Sequence, residues 1–542
     1  MIQDFGTGAA DCAPEAQVWD VCIVGAGAAG LALAAEFLDG RGRILVLESG
    51  LREPDAQGEE LNQLDNIGLR HDGWREGRIR AFGGTTRAWG GQLIPLRDSE
   101  VAARSWIPES GWPLSLEELE PYYRRAEQLL RVEGPPYDKS AWGQLGVVPP
   151  AFDAHDFRIR FSQWAALGRR NFAVLWRRQL ERSSNVTVLV DATATVVRCT
   201  DGGEHCTAVE VRSRSGRTAS IQARAYVIAC GGIETARLLL ASPVAGAAGA
   251  DVGAGAGGCV ANSSGTVGRF FQDHISYIAG ELEPASRQVV QHLFDPRYVG
   301  STMYSVKIEP SDTLMQREGW LNAMAHIAFQ IPDALGWMEL RRILRSLQAG
   351  RLELPSRDEA VAMLRGSVEL TRLVLTRYLA RRRRSPDSGS IRLLIDSEQA
   401  PSPDSRILLD TRPDAMGMPR VRLDWRVGEL ERRTLTGFAG RVASEFERLG
   451  LGKIRLAPAP DFASRDTPGA ARDIFHHMGT ARMSATPGTG VTRADLRCHD
   501  VDNLYIAGPA VFPSGGIANP TFTALALSLR LADHLKSSRF GR

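Results

Sequence analysis

The stretch that most constrains this chain is VWDVCIVGAGAAGLALAAEFLDGRGRILVLESG, residues 18–50. Val21, Ile23 and Val24 form a short apolar strand, and Gly25, Gly27 and Gly30 then spell G-x-G-x-x-G. Leu31 to Leu38 read as a helix, and a second strand, RILVLE, ends on Glu48. An acid about 20 residues past such glycines is where the ribose of a bound dinucleotide is held. Gly25 permits the tight turn, Gly27 lets backbone approach a pyrophosphate, and Gly30 lets helix and strand pack closely. The helix N-terminus then faces the phosphates. Together these parts specify a Rossmann-like unit for NAD or FAD, and the fingerprint alone does not choose between them.

A second Gly-rich loop, RIRAFGGTTRAWGGQLIP, spans Arg78 to Pro95. A simple NAD unit does not need it, although its composition also suits a plain surface turn. Ser115 and Glu118 form a capping box that opens a helix. NVTVLVDATATVVRC alternates as strands, and AYVIACGG leads through another strand into glycines and a helix from about Glu234. These segments read as the sheet returning to complete the nucleotide unit. Ala245 to Gly258 is Gly/Ala-rich and reads as a surface loop.

From about Ser276 to Ala457 strands mix with long helices, which marks a second unit. MELRRILRSLQAG places Leu340, Ile343, Leu344 and Leu347 on one face. A further helix carries Val361, Leu364, Val368, Leu375 and Leu379 and ends in ARRRR. A basic amphipathic helix can lie on an anionic membrane. The expectation is the alternative, a solvated face whose charges favour the helix C-terminus. DSRILLDTRPDAMGMPRVRLDWRV suggests adjacent strands, and LERRTLTGFAGRVASEFERLG another amphipathic helix.

Composition excludes several classes. A net charge of +2 on 542 residues gives no nucleic-acid footprint. The seven cysteines (Cys12, Cys22, Cys199, Cys206, Cys230, Cys259 and Cys498) form no C-x-x-C and suit reduced thiols in a cytoplasm. No secretory leader is apparent, and no apolar run approaches the roughly 20 residues of a membrane span. A cytoplasmic protein is expected, and the oligomeric state is not readable.

The tail carries FHHMGTARM, Phe475 to Met483, then the strand NLYIAG, a Gly/Pro turn, ANPT and a closing helix. A metal site at the His pair is not expected. Adjacent histidines diverge, and no acid or third histidine stands at ligand spacing. A satisfied polar pair in a loop is one reading. A general base is the other: a neutral imidazole accepts a hydroxyl proton near neutral pH, and an amide such as Asn519 holds the same oxygen.

Taken together, VGAGAAG…VLESG, GGTTRAWGG, GWPLSLEELEPYY, HHMGTARM and NLYIAGPAVFPSGGIANPTFTALAL resemble the glucose-methanol-choline flavoprotein oxidoreductases over nearly the whole chain. The NPT ending is most similar to the branch of pyranose oxidases and sugar or polyol dehydrogenases. The resemblance implies FAD, with His476 as catalytic base and Asn519 as its partner, and no role in catalysis for His477. It implies that Gly25, Gly27, Gly30 and Glu48 bind the ADP part. Gly84 and Thr85 approach the pyrophosphate or ring, Val196 meets the adenine, and Gly508 and Thr521 line the flavin. The implied fold is α/β. A discontinuous Rossmann-like FAD-binding domain takes residues 15–275 and 458–542. An α+β substrate-binding domain on an antiparallel sheet takes 276–457.

Two departures stand out. Where some members carry a histidine bonded to the flavin, this chain has Ala88, so FAD is expected to be non-covalent. Where many members carry Asp, it has Gly508. The implied reaction is oxidation of an alcohol carbon on a sugar, cyclitol or glycoside to a ketone or aldehyde. A non-sugar alcohol remains open as substrate, and oxygen, quinone or a protein remains open as electron acceptor. A non-redox use of FAD is the third reading, and the intact His476 and Asn519 argue against it.

Overall fold

The computed structural model describes all residues except 8–12, 133, 135, 245–257, 331–341, 344–345, 347–353, 366, 386 and 540–542. The strand before the glycine loop, Trp19–Val24, is wholly buried and sits inside a six-stranded parallel sheet. The order is Ile2–Asp4, Val186–Val190, Ile44–Leu47, Trp19–Val24, Ala223–Ile228 and Leu504–Ile506. The chain leaves the Trp19–Val24 strand toward one edge and later returns on its other side. This order creates a crevice at the strands' C-terminal ends, the usual ligand position in such sheets. The glycine loop opens there.

The first helix runs Ala28–Ala35, earlier than the Leu31 to Leu38 read from the sequence. Gly27 is its N-cap, and alanine, the best helix former, carries the first turn. The helix after AYVIACGG likewise starts at Gly231 and not near Glu234. Gly25 has φ +107°, and a Cβ there would lie 2.6 Å from the Ala229 carbonyl oxygen. A Cβ on Gly30 would overlap the Gly25 carbonyl oxygen, so helix and strand touch only because that residue is glycine. The expected capping box is present, with Ser115 and Glu118 bonding each other's backbone N–H at 3.2 and 3.0 Å.

The second large sheet is antiparallel. Its main path runs Gly452–Leu456, Ile275–Pro284, Ile391–Ser397, Ala323–Phe329, Thr302–Pro310, Phe157–Trp164 and Gln92–Leu93. Arg297–Val299 and Ala471–Asp473 pair at its sides. Strands 92–93, 157–164 and 471–473 thus come from segments read as nucleotide unit in the sequence. One face of the sheet packs under the helix Glu429–Arg448 through Leu435, Phe438, Val442 and Phe446. Alternate residues point to the other face, as the strand period of 2 requires. That face is open and is described below.

The expected adjacent strands are present as a hairpin: Arg406–Pro413 pairs antiparallel with Pro419–Asp424. Ala245 to Gly258 and MELRRILRSLQAG lie almost wholly outside the described residues. The ARRRR run turns back onto the protein. Arg382 reaches Asp295 at 3.4 Å, Arg384 pairs with Asp387, and the Arg377 guanidinium lies 3.2 Å over the Tyr298 ring. Among the described residues no helix is long and apolar enough to cross a membrane.

Candidate active site

His476 lies on the loop after the Ala471–Asp473 strand, and Asn519 directly precedes Pro520, the first residue of the closing helix. Proline is well suited there, since its missing N–H has no partner in the first turn. The two loops meet. His476 Nε2 is 3.2 Å from Asn519 Nδ2. Phe475, just before, has φ +72°, a left-handed conformation costing a residue with a side chain of order 1–3 kcal/mol. The turn sends His476 and His477 to different neighbours.

The loop is held by three consecutive side chains, Gln272, Asp273 and His274. Gln272 and Met478 exchange backbone hydrogen bonds at 3.0 and 2.9 Å, which fixes the register. The Gln272 amide oxygen accepts from the Gly515 N–H at 3.0 Å. Asp273 accepts from the His476 N–H at 2.9 Å. His274 Nδ1 lies 2.8 Å from His476 Nδ1, and its Nε2 lies 2.8 Å from the Gly516 carbonyl oxygen. Sequence reading passed over this QDH stretch, which lies just before the boundary set at about Ser276. A signal was there, since three polar residues in succession follow the apolar pair Phe270 and Phe271 and must be satisfied if buried.

His477 faces a different group. His71 Nε2 is 3.0 Å from Asp273 Oδ2, and His477 Nε2 is 3.9 Å from the same oxygen. Asp473 accepts from the Asp72 and Gly73 N–H groups. The sequence was read as having no acid or third histidine at ligand spacing, but in space Asp273 and His71 stand beside His477. Burial lowers the pKa of both His476 and His477; neighbouring His274 adds to it for His476, and His71 and Arg78 for His477. Both rings are therefore neutral near pH 7.

Two cavities meet at His476. The first, about 260 Å³, is lined by Gly25, Gly27, Glu48, Gly84, Thr85, Gly508 and Thr521 together with His476. Seven of the nine residues assigned to the cofactor thus share one wall with the assigned base. Gly30 does not line it and serves packing instead. Val196 does not line it either; Ala192, Thr193 and Ala194 do. The Glu48 carboxylate accepts from the Ala26 and Gly50 N–H groups at 2.9 and 2.8 Å. Sequence reading missed Arg78, Arg80 and Arg237, which also line this cavity around Glu234. Burial alone would raise the Glu234 pKa, but the three arginines outweigh it and hold the carboxyl well below its ordinary range.

The second cavity, about 590 Å³, includes Asn519 and the open face of the antiparallel sheet. His274 and Ser276, Ser305 and Lys307, Met324 and His326, Leu394 and Asp396, and Arg472 and Ile474 each come from one strand or its end. His326 Nδ1 is 3.5 Å from Asp396 Oδ2, and neither it nor Asp396 Oδ1 makes a hydrogen bond.

Profiles described as GMC oxidoreductase match residues 166–276 and 401–528, which include QDH, HHMGT and ANPT. The chain belongs to the GMC oxidoreductase family. It is 26% identical to paromamine 6'-oxidase of Streptomyces fradiae over 96% of this chain and 92% of the relative. Against the fructose dehydrogenase large subunit of Gluconobacter japonicus it is 23% identical, covering 95% and 97%. In fold it matches pyridoxine 4-oxidase from Mesorbium loti with a TM-score of 0.55 at 17% identity, covering 95% and 98%.

The family implies FAD, and the first cavity fits it. A Cβ on Gly27 would meet nothing within 4 Å, so the backbone there stands open to a ligand. The helix N-terminus behind Gly27 suits a pyrophosphate.

Proposed function

We propose that this GMC oxidoreductase oxidises an alcohol carbon of a sugar, cyclitol or glycoside, with His476 as base and Asn519 as the amide that orients the hydroxyl. One observation carries the reading. His476 borders both the glycine-lined cavity and the sheet-lined one, with Asn519 3.2 Å from its Nε2. Bound FAD supplies a hydride acceptor. The neutral His476 Nε2 takes the hydroxyl proton, and Asn519 holds the oxygen in line. Holding the reacting carbon about 3–3.5 Å from its acceptor is the largest service the chain provides.

The substrate class rests on the names of the relatives and on the wall opposite His476. Ser276, Ser305, Lys307, His326, Asp396 and Arg472 offer donors and acceptors in number, which suits a polyol better than a simple alkyl alcohol. We assign Gly25, Gly27, Glu48, Gly84, Thr85, Gly508 and Thr521 to FAD, with Gly30 shaping their turn and Val196 in the strand leading from the adenine end. FAD is taken to be non-covalent because Ala88 offers no nucleophile. The proposed division is a nucleotide unit (15–275 and 458–542) that lends short strands to the sheet of a substrate unit (276–457). Reduced thiols favour a cytoplasmic setting.

Anaerobic mixing of the purified flavoprotein with a panel of sugars, cyclitols and simple alcohols tests the reading. Polyols should bleach the flavin, and His476→Ala should keep the colour but lose the bleaching. Bleaching at the wild-type rate in His476→Ala would sink it. Acid precipitation should leave the yellow colour in solution. Peroxide formation under air separates an oxidase from an enzyme that passes electrons to quinone or protein.

A further inference from the structure

We propose that His274 is a positioning residue that selects the tautomer of His476, so that the Nε2 lone pair, and not an N–H, faces the substrate. The inference rests on His476 being the base. It follows from a chain of hydrogen bonds with one fixed end. The Gly516 carbonyl oxygen can only accept, so His274 Nε2, 2.8 Å away, carries the hydrogen and donates it. A neutral His274 then has a bare Nδ1. His476 Nδ1, 2.8 Å from it, must donate. His476 is therefore protonated at Nδ1 and bare at Nε2, where the Asn519 Nδ2 stands as a donor at 3.2 Å. The tautomer of a neutral imidazole is set by the bond its other nitrogen makes. Here that bond leaves the basic nitrogen on the cavity side.

The surroundings keep the chain running in this direction. His274 is 1% exposed, so water does not compete for either ring nitrogen. Its neighbour Asp273 spends its carboxylate on His71 and on the His476 and Ile474 N–H groups. The fixed end is itself well held. Gly516 has φ +58°, and the buried Glu100 carboxylate accepts the next N–H, from Ile517, at 2.6 Å. His274 is anchored on the other side by the Ile474 N–H, which donates to its carbonyl at 3.2 Å.

The arrangement serves the reaction in both states. The alcohol O–H bond breaks and its proton bonds to His476 Nε2; FAD, held by the glycine-lined cavity, would supply the acceptor for the hydride that leaves the alcohol carbon. The resulting imidazolium still donates from Nδ1 to His274 Nδ1. No ring has to flip, and the new positive charge points at a lone pair.

The test compares two variants by anaerobic stopped-flow, using the alcohol that bleaches the wild-type flavoprotein fastest. His274→Phe keeps the ring and removes both nitrogens. His274→Asn keeps an acceptor near the Nδ1 position. His274→Phe should retain FAD but lower the limiting reduction rate by about 10- to 100-fold, the usual cost of losing a partner that orients a functional imidazole. His274→Asn should restore most of the rate. A limiting rate in His274→Phe within about threefold of wild type, or no recovery in His274→Asn, overturns the proposal. A second measurement needs no variant at His274. In ¹⁵N-histidine-labelled protein, the resonance pair lost in His476→Ala should show a protonated Nδ1 and a bare Nε2. The opposite pattern overturns it. If His476→Ala itself reduces normally, the base assignment has failed; if it is dead while His274→Phe is unaffected, only the tautomer proposal has.

Discussion

The two cavities that meet at His476 are built on opposite plans. The glycine-lined one is shaped by glycine turns at the ends of parallel strands. The sheet-lined one is made of side chains, taken at every second position from strands far apart in the chain. A glycine-framed site accepts little variation, because the absence of a Cβ is what shapes it. A side-chain site can be rewritten one residue at a time without disturbing the sheet beneath. Family membership is therefore written in the first cavity and substrate choice in the second.

The sharpest way to break this comparison is to add one methyl group to the first cavity's frame. Gly30→Ala places a Cβ against the Gly25 carbonyl oxygen, with strand and helix both fixed. The expected outcome is protein that holds no flavin, read from its absorbance after gel filtration. Full colour in Gly30→Ala would show that this turn tolerates a side chain and that the glycines do not shape the site. The next effect in size belongs to the shared residue. His476→Ala should keep its colour and slow flavin reduction by about 10²–10⁴-fold, the usual contribution of a positioned general base.

The same contrast explains what could be read before any coordinates. The glycine turn, Glu48 and the second loop at Gly84 were legible because each requirement is local and falls on a fixed spacing. The helix starts were misjudged because Gly27 caps the first helix and Gly231 opens the other, and glycine in sequence reads as a breaker. Val196 was assigned by resemblance, and the cavity wall runs instead through Ala192, Thr193 and Ala194. His71, Asp273 and His274 were not legible as a group. Asp273 and His274 reach the His pair through the pairing of Gln272 with Met478, and His71 through the Asp72 and Gly73 N–H bonds to Asp473; no local pattern announces contacts between residues some 200 to 400 positions apart. The row Lys307, His326 and Asp396 was invisible for the same reason. Each residue is an unremarkable polar position on its own strand.

A smaller effect sharpens the side-chain half of the comparison. Asp396→Ala removes an acceptor whose Oδ1 makes no hydrogen bond within the protein. It should weaken the apparent affinity for a polyol about tenfold, as loss of one buried hydrogen bond to a charged group implies. The limiting reduction rate and the flavin colour should stay near wild type. An equal loss for a simple alcohol with a single hydroxyl would show that Asp396 supports the sheet and does not read the substrate.

The smallest expected effect is an absence of change, and it bears on the residue the two cavities share. His476 has its pKa lowered by burial first and by His274 second. The groups that face it are His274, Asn519, His477 and the Asp273 carboxylate that holds its N–H. A depressed pKa keeps the ring neutral, and so competent as a base, both above and for some distance below the ordinary histidine value of about 6.5. The limiting rate of flavin reduction should therefore be flat from pH 8 down through about 6.5, and fall only as pH drops through the lowered value. The sign is fixed, because protonation removes the lone pair that accepts the alcohol proton. A histidine left in water would instead lose half its activity at about pH 6.5. A profile that bends there would place His476 in a solvated setting, and the two cavities would then not close around it.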